Sequence, residues 1–454
     1  MVAWRIRVGG VELPRRLALY GLTVSKEVNR IPYARLLLAD GDPAAQDFEL
    51  SNEDWFVPGN DIEIFLDYRN AETRVFKGIV VKQQITIRKG SSLLEVDCRM
   101  TLRRQGRYFE NLTDSELAAQ LLDAYGIKTN IAPTRHRHAD LVQYDCTDWD
   151  LLVTRMECNG LLTILDDGTA RIQAPDFGQE PALQLHHGAT VLEFDGGLEA
   201  RDQYEQVVAR SWDPSQQALV EIAAKEPAIK QNGNLPGLKL APVNGPGVMA
   251  HRHGGQIPDG ELQAWADARL LKDRLSRTCG RVQFQGYNAL KPGQVAVLNG
   301  FGKRFNGPVF VSAVHHEYLE SGWLTELEFG LSPKWFAEIV KTEAPAAAAM
   351  LPAVRGLQIG LVSQIEQDPD GEHRVRVRLP ILDAQAGGVW ARVAAFDAGA
   401  GRGAFFRPEV NDEVIVGFIH DDPRNAVVLG MLHSRDKAPP FTATPENAEK
   451  GFVS

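Results

Sequence analysis

Histidine pairs are the residues of this sequence best suited to chemistry, because imidazole binds transition metals and acts as a general base near neutral pH. Four segments carry two histidines each: His136-Arg137-His138, His186-His187, His251-Arg252-His253 and His315-His316. None has a helical partner four residues away or a Cys, His or Asp companion at ligand spacing. His315 and His316 follow a strand-like run, so their side chains should point to opposite faces. We therefore predict surface or packing roles, with no catalytic residue, no metal ligand and no cofactor.

Two further segments resemble catalytic motifs but fit turns better. Asp166-Asp167-Gly168 joins two carboxylates, yet Asp-Gly between two strand-like runs is a hairpin signal. Gly399-Ala400-Gly401-Arg402-Gly403 lacks the Lys-Ser/Thr ending of a phosphate loop, and no helix pattern follows it. GxSxG, HExxH and kinase motifs do not occur in the sequence. We predict that the protein is not an enzyme.

The composition excludes several classes of partner. The 454 residues include 41 Gly and 25 Pro, which favours a turn-rich β protein, and carry a net charge of -10. A negative chain has no general electrostatic attraction for nucleic acid or anionic lipid. The four cysteines form no CxxC pair and predict free thiols. Without an apolar signal segment or an eighteen-residue apolar run, we expect synthesis and assembly in the cytoplasm.

Periodicity divides the chain into six segments. Alternating strands fill residues 1–104, and two capped helices, after Thr113 and Thr147, belong to an α+β module over residues 105–190. Residues 191–343 combine strands, a helix near 261–277 and an aperiodic loop over 225–258. An Ala/Pro linker follows at 344–354, and about five strands at 355–436 match an OB-type barrel. Residues 437–454 form the last segment.

A faint internal repeat connects the two β-rich regions. Pro58-Gly59 and Pro292-Gly293 each precede an alternating strand, Ile62-Glu63-Ile64 and Val295-Ala296-Val297. The repeat continues with Phe76-x-Gly78-x-Val80 and Phe305-x-Gly307-x-Val309, then with Glu95-Val96-Asp97-Cys98 and Glu326-Leu327-Glu328-Phe329. Chance recurrence of short β motifs is the alternative. We predict a duplicated β-barrel.

The C-terminal barrel resembles the OB-fold base of the VgrG spike proteins of type VI secretion and of related phage tail spikes. The resemblance rests on Gly360-Leu361-Val362, Arg374-Val375-Arg376-Val377, Pro408-Glu409-Val410-Asn411-Asp412-Glu413-Val414-Ile415-Val416, Asp421-Asp422-Pro423-Arg424 and Val428-Leu429-Gly430. Asp421 stands where the family usually has Gly. The first 340 residues resemble the accompanying phage baseplate-hub module, most clearly from residue 149 to Leu162.

The resemblance implies a fold and a set of partners. The fold is mainly β, with two tube-like hub β-barrels, a small α+β module and a C-terminal OB-fold barrel. The implied function is a trimeric adaptor of a contractile injection machine, joining a hexameric inner tube to a three-fold spike for membrane puncture and effector delivery. Implied partners are two further copies, the tube protein and baseplate proteins, with a spike-tip protein and effector cargo as additional candidates. Contact with a target membrane would be transient, and this protein, part of a contractile phage-tail-like particle, would be ejected or extracellular on firing.

Two other function classes stay open at this stage. An OB fold can bind single-stranded nucleic acid, which requires a basic groove with aromatic stacking platforms. Residues 355–435 hold nine basic and eleven acidic residues, so we predict no nucleic-acid partner. A cell-envelope hydrolase delivered by the machine is the other alternative. In the family a β-helix needle follows the OB domain, so residues 437–454 would be its start or a tail. The needle is either trimmed from this chain or a separate protein, and we favour trimming because Glu449-Lys450-Gly451 resembles the needle entry.

Overall fold

The structure is a computed structural model, and it describes residues 2–14, 17–68, 72–88, 91–99, 103–245, 247–319 and 321–453. The chain divides into two compact units, Met1–Thr342 and Glu343–Ser454. In the described residues, no helix is both long enough and apolar enough to cross a membrane.

In its described residues the first unit contains twenty-one strands and seven helices. The strands are β1 (Ala3–Val8), β2 (Val11–Glu12), β3 (Leu19–Glu27), β4 (Tyr33–Ala39), β5 (Asp61–Asp67), β6 (Arg74–Arg88), β7 (Ser91–Arg99), β8 (Arg104–Thr113), β9 (Lys128–Ile131), β10 (Arg137–Thr147), β11 (Leu162–Asp166), β12 (Thr169–Gln173), β13 (Leu183–His186), β14 (Val191–Leu198), β15 (Gln206–Asp213), β16 (Ala218–Ala223), β17 (Val248–His253), β18 (Thr278–Gln285), β19 (Val295–Asn299), β20 (Gly307–Leu319) and β21 (Gly322–Phe329). The helices are α1 (Glu49–Asn52), α2 (Asp114–Asp123), α3 (Asp148–Cys158), α4 (Gly237–Leu240), α5 (Asp259–Ser276), α6 (Gly302–Phe305) and α7 (Phe336–Ile339), with 3-10 turns at Asp54–Phe56 and Ala241–Asn244.

The second unit is built on one small barrel. Its strands are β22 (Gln358–Gln364), β23 (Val375–Arg378), β24 (Val389–Val393), β25 (Ala398–Gly399), β26 (Arg402–Gly403), β27 (Glu413–Phe418) and β28 (Ala426–Met431), with 3-10 turns at Ala346–Ala349 and Ile419–Asp421. Strands β22, β23, β24, β28 and β27 close on themselves around buried valines. The second unit therefore has its own hydrophobic core, and the predicted OB-type barrel is confirmed.

Local sequence signals account for the helices of the α+β region. Thr113 and Thr147 each accept a hydrogen bond from the backbone three residues on, and Glu116 and Asp150 return it, so both capping boxes form. These boxes begin α2 and α3 at the predicted positions. Gly160, with φ of +68°, ends the turn after α3 in a conformation that favours glycine.

Two groups of strands in the first unit share one strand order. The first lobe runs β5-β6-β7-β4-β3 and the second lobe runs β19-β20-β21-β18-β14, each by antiparallel pairing. Each lobe encloses a separate hydrophobic core. Strand β20 of the second lobe also pairs with β3 of the first, so both lobes belong to one 13-stranded sheet. The predicted fold class, mainly β with two hub barrels, an α+β module and an OB barrel, is confirmed.

The two lobes also share turn hydrogen bonds and β-bulges at corresponding positions. Gly59 donates its backbone N–H to Val80, and Gly293 does the same to Val311. Val80 lies opposite Cys98, and Val311 lies opposite Phe329. A β-bulge follows each of these two valines, and another interrupts β3 and β14 at matching places. Four shared features of pairing make chance recurrence untenable.

The structure corrects two details of the sequence prediction. The shared backbone hydrogen bonds align Gly59 with Gly293 and Val80 with Val311. Relative to the alignment made from the sequence, β5 therefore moves by one residue against β19, and β6 moves by two residues against β20. The last landmark, Cys98 with Phe329, is correct. Residues 225–258, predicted as an aperiodic loop, contain α4 and β17, and β17 pairs in parallel with β15. A parallel partner far along the chain leaves no local hairpin signal, which explains the error.

Candidate functional site

The contact between the two lobes is the feature from which a functional surface follows. Strand β3 pairs antiparallel with residues 313–319 of β20, with Val24 opposite His316 and Leu22 opposite Tyr318. These side chains face the core of the first lobe, where Leu22 and Val24 are fully buried. We call this contact the lobe junction.

Two sheet edges correspond to the two strands of the lobe junction, but these edges do not pair with each other. By the lobe correspondence, β6 residues 82–88 match β20 residues 313–319, and β14 matches β3. In the described part of the chain, β7 is the one partner of β6 over 82–88, and β18 is the one partner of β14. Each strand therefore presents a row of unpaired backbone groups, which is the usual template for pairing with another chain.

Large apolar side chains lie exposed on these two edges. Ile85 and Ile87 of β6 are 43% and 64% exposed, and Leu192 of β14 is 60% exposed. At the matching position to Ile85, His316 is buried by β3. No sequence pattern predicted this surface, because an alternating strand has the same pattern whether its second edge is covered or open.

Charges of opposite sign border the two edges. Lys82 and Arg88 are exposed at the two ends of the open part of β6. Glu193 and Glu199 lie near the two ends of β14 and are also not buried. The hydrogen bond and charge of Arg201 lower the pKa of Glu199 to about 2, so Glu199 is anionic at neutral pH.

The structure brings His136 and His138 together with Glu261, which sequence spacing missed. The potential ligand atoms of these three residues lie within 4.8 Å of one another. The centre is held by Arg155, whose guanidinium is 2.6 Å from Glu261 Oε1 and 3.1 Å from His138 Nε2. Arg155 also donates to both carboxylate oxygens of Asp114, at 2.8 and 3.1 Å.

This cluster is therefore an ion-pair network in which a guanidinium takes the central cation position. Burial alone would raise the pKa of Asp114, but the hydrogen bonds and charge of Arg155 outweigh it, and the pKa is lowered. The network joins α2, β10, α3 and the first turn of α5. Its chemistry is structural, since two carboxylates stabilise one half-buried arginine.

His315 and His316 point to opposite faces of β20, as predicted. His316 is buried, its Nδ1 lies 3.0 Å from Thr325 Oγ1, and burial lowers its pKa to about 3. His315 lies 3.3 Å from Glu328 Oε1, close to Glu326. Burial would lower the pKa of His315, but the Glu328 carboxylate outweighs it and the pKa is raised. The two histidines share no ligand position.

The other histidine segments lie in separate packing environments. The His251 ring contacts Trp265, with 4.8 Å between ring centroids, and burial lowers its pKa to about 4. His187 packs on Phe301 at 5.6 Å, whereas His253 is exposed. The rings of His251 and His187 therefore pack against aromatic side chains, and His253 lies at the surface.

The Asp166-Asp167-Gly168 segment forms the predicted hairpin between β11 and β12. Asp167 and Gly168 have φ of +50° and +83°, as a two-residue hairpin turn requires. Lys26 and Lys291 both donate to the Asp166 carboxylate. Burial would raise the pKa of Asp166, but the two lysines lower it. The acidic pair anchors the hairpin to β3.

Two arginines of the second unit contact other side chains of that unit. Arg374 is bound by Asp368 and Asp370, and the guanidinium of Arg376 lies over the ring of Trp390. The exposed surface instead carries large apolar side chains, and Ile381, Leu382, Phe396 and Phe405 are each more than three-quarters exposed. Exposed apolar surface of this kind is a common site of protein contact.

Comparison with known families matches nearly the whole chain. Residues 1–320 match the model of the Alg8 N-terminal domain. Residues 358–433 match the model described as the type VI secretion system/phage-baseplate injector OB domain. The first match covers the first lobe, the α+β region and the second lobe up to β20, and the second covers the closed barrel.

One protein is similar to this chain in sequence, and two solved structures are similar to it in fold. The chain is 22% identical over 469 residues to the type VI secretion system spike protein VgrG1b of Pseudomonas aeruginosa, covering 91% of this chain but 60% of that protein. Its fold is similar to a tail protein from Neisseria meningitidis MC58, with 16% identity, a TM-score of 0.52 and coverage of 74% and 98% of the two chains. It is also similar to the 43 kDa tail protein of prophage MuSo2 from Shewanella oneidensis, with 11% identity, a TM-score of 0.53 and coverage of 73% and 98%. The chain belongs to the Alg8 N-terminal domain family; it is similar in sequence to a VgrG spike protein and in fold to phage-type tail proteins.

Proposed function

We propose that this chain is the hub and spike component of a contractile injection machine and that three copies close into a ring. The observation that carries the proposal is the lobe junction, because each chain makes one such contact internally and offers both halves of a second. A head-to-tail contact of this kind forms a ring when its rotation closes. Three chains of two lobes give six lobes, which is the number needed to stack on a hexameric tube.

The internal junction fixes the register of the contact between chains. Transferring its pairing through the lobe correspondence places Ile87 of one chain opposite Phe194 of the next, because Tyr318 lies opposite Leu22. Ile85 then lies opposite Gly196. Both isoleucines would be covered on the face that continues the hydrophobic cores, which removes the exposed edge.

Charge complementarity supports the same register. Lys82 of one chain falls opposite Glu199 of the next, and Arg88 falls opposite Glu193. Opposite charges directly across an antiparallel pair are favourable, and a shift of one residue would break both pairs and turn the isoleucines to the other face. Two charge pairs and two apolar contacts thus select one register.

The second unit would form the three-fold base of the spike. Its exposed Ile381, Leu382, Phe396 and Phe405 are the apolar surface that three barrels would bury against one another. We propose that residues 344–354 connect hub to barrel and that residues 437–454 are the start of the spike or a tail. We also propose 1–104, 105–190, 191–343 and 355–436 as the four domains.

The proposed role is mechanical and not catalytic. The hub would bind the last ring of the inner tube, contact baseplate proteins and transmit the force of sheath contraction to the spike. A spike-tip protein and effector cargo would travel with it. We propose assembly in the cytoplasm, ejection on firing and brief contact with the target membrane.

Charge reversal across the proposed contact tests the function at its interface. The double variant Lys82→Glu/Arg88→Glu should shift the protein from three chains to one at micromolar concentration, because it places like charges opposite Glu199 and Glu193. Adding Glu193→Lys and Glu199→Lys to the same chain should restore three chains. The molar mass from light scattering on the purified full chain is the readout.

The control is Lys128→Glu/Lys225→Glu, which reverses two exposed lysines far from both edges in the sequence. This variant should keep the wild-type mass. A double variant that stays trimeric, or a quadruple variant that stays monomeric while folded, would contradict the proposed register.

A further inference from the structure

One histidine and two glutamates converge on the face of the second lobe that points away from its core. His315 of β20 lies directly opposite Glu326 of β21, and Glu328 follows two residues later on the same face. The residues between them, Val314 and Leu327, are buried in the core of the lobe. An imidazole nitrogen and two carboxylate oxygens are donor atoms that Zn²⁺ commonly accepts in proteins.

The spacing of the three donor atoms suits one metal ion. One ligand atom from each of His315, Glu326 and Glu328 lies within 4.8 Å of the other two. Tetrahedral ligands at their usual distances from zinc are roughly 3.4 Å apart. His315 Nε2 and Glu328 Oε1 are 3.3 Å apart, which already meets this value. Rotation of the partly exposed glutamate side chains can shorten the other separations.

The first lobe carries the same pair of carboxylates, but protein cations neutralise it there. By the lobe correspondence, Glu95 and Asp97 match the two glutamates of β21. Arg35 Nε lies 2.8 Å from Asp97 Oδ1 and 3.4 Å from Glu95 Oε1. Lys82 Nζ lies 4.0 Å from Asp97 Oδ2. Two side-chain cations therefore balance two carboxylates.

The second lobe lacks this balance in its described residues. Arg281 stands at the position of the first-lobe arginine, but Asp195 holds it, with 2.7 Å between Nη2 and Oδ2. Its Nη1 is 3.7 Å from Glu326 Oε2, too long for a hydrogen bond. Ala313 occupies the position of Lys82, so the second cation is replaced by a methyl group.

A metal ligand is gained where these cations are lost. His315 occupies the position that Gln84 has in the first lobe. A glutamine amide is not among the usual zinc ligands, whereas an imidazole is. The two lobes therefore differ at the same carboxylate pair in the direction expected for a bound cation.

We propose that His315, Glu326 and Glu328 bind one Zn²⁺ ion, with water at the open fourth position. The ion would link β20 to β21 beside the lobe junction and stabilise the second lobe. The proposal replaces the prediction that His315 has a surface or packing role alone. Because all three ligands belong to one chain, the site does not depend on the proposed trimer.

Calorimetric titration with Zn²⁺ tests the site on the full chain after metal removal with EDTA and exchange into metal-free buffer. The wild type should bind one equivalent with micromolar or tighter affinity. His315→Gln and Glu326→Gln should each weaken binding by at least about tenfold, since even outer-shell partners of a metal contribute that much. Glu95→Gln is the matched control, because Glu95 has the position of Glu326 in the first lobe. It should keep the wild-type affinity.

The opposite results would overturn the proposal. A wild-type chain that binds no Zn²⁺ at micromolar concentration would leave His315 and Glu328 as a simple ion pair. Equal affinities in Glu326→Gln and Glu95→Gln would place any bound ion elsewhere.

X-ray absorption at the zinc edge identifies the ligands in the wild-type chain without any substitution. The spectrum should show nitrogen and oxygen ligands at about 2.0–2.2 Å and the outer-shell scattering of one imidazole. Sulfur scattering at about 2.3 Å, or the signal of two or more imidazoles, would assign the ion to other residues and contradict the site.

Discussion

At the scale of single residues, the histidines show how burial decides what an imidazole does. His316 is 3% exposed and keeps its ring beside Thr325, whereas Arg155 fills the centre of the cluster around His136 and His138. In the first case desolvation favours the neutral ring, and in the second a permanent cation occupies the position a metal would take. The same residue type therefore serves packing in one place and an ion-pair network in another.

Because burial lowers the pKa of His316, we predict that the folded protein loses stability at mildly acidic pH. Its folded pKa is about 3 and its ordinary value is 6.5, so the unfolded chain binds the extra proton below pH 6.5. The free energy of unfolding should fall as pH decreases, by about 2 kcal/mol from this residue between pH 6.5 and pH 5. Chemical denaturation of the wild type and of His316→Gln at both pH values measures the difference.

The exposed His253 provides the control for this prediction. His253→Gln should keep the wild-type pH dependence, whereas His316→Gln should lose about 2 kcal/mol of it. If His316→Gln left the pH dependence of the unfolding free energy unchanged, the lowered pKa of His316 in the folded protein would be contradicted.

Residue-level signals in the sequence predicted local features and missed distant ones. The turn at Asp167 and Gly168 and the caps at Thr113 and Thr147 depend on neighbours within four residues, and each was predicted correctly. The contact between Arg155 and Glu261 spans 106 positions, and no local pattern encodes it. Long-range juxtaposition is set by topology, which spacing rules do not contain.

At the scale of elements, the two lobes are one design used twice. They share strand order, the turn before β5 and β19, and bulges at two matching places. The sequence repeat predicted the duplication but misaligned its middle strands. The cause is physical: insertions and deletions between the paired strands change the spacing, while hydrogen bonding and the bulges keep the register.

The open edge of β6 should be dispensable for folding and required for assembly. Ile85→Lys/Ile87→Lys should remove the trimer while leaving the unfolding midpoint of the single chain unchanged, because both side chains are substantially exposed in one chain. Light scattering measures the first effect and thermal unfolding the second.

Val142→Lys/Leu219→Lys is the matched control for this pair, since these residues are 51% and 58% exposed on strands β10 and β16. It should stay trimeric. If the isoleucine variant also assembled into three chains, β6 would not be the contact edge.

At the scale of the whole molecule, the proposed ring pairs the open edge of each lobe with the open edge of a lobe in the next chain. One chain has one lobe junction and two unsatisfied edges, and three chains in a ring would have six junctions and none unsatisfied. The overall class and the C-terminal barrel were predictable from alternation, turns and the linker. The open edges were not, because their meaning depends on which strands lie beside them.

Cysteine crosslinking tests the ring most directly. Thr86 and Asp195 lie opposite each other in the proposed contact, so Thr86→Cys/Asp195→Cys should form disulfides between neighbouring chains under mild oxidation. We predict a ladder on a denaturing gel that ends at three chains, with neither single variant giving the closed species. A ladder that continues beyond three chains, or the absence of any crosslinked species in a folded protein, would contradict the three-chain hub.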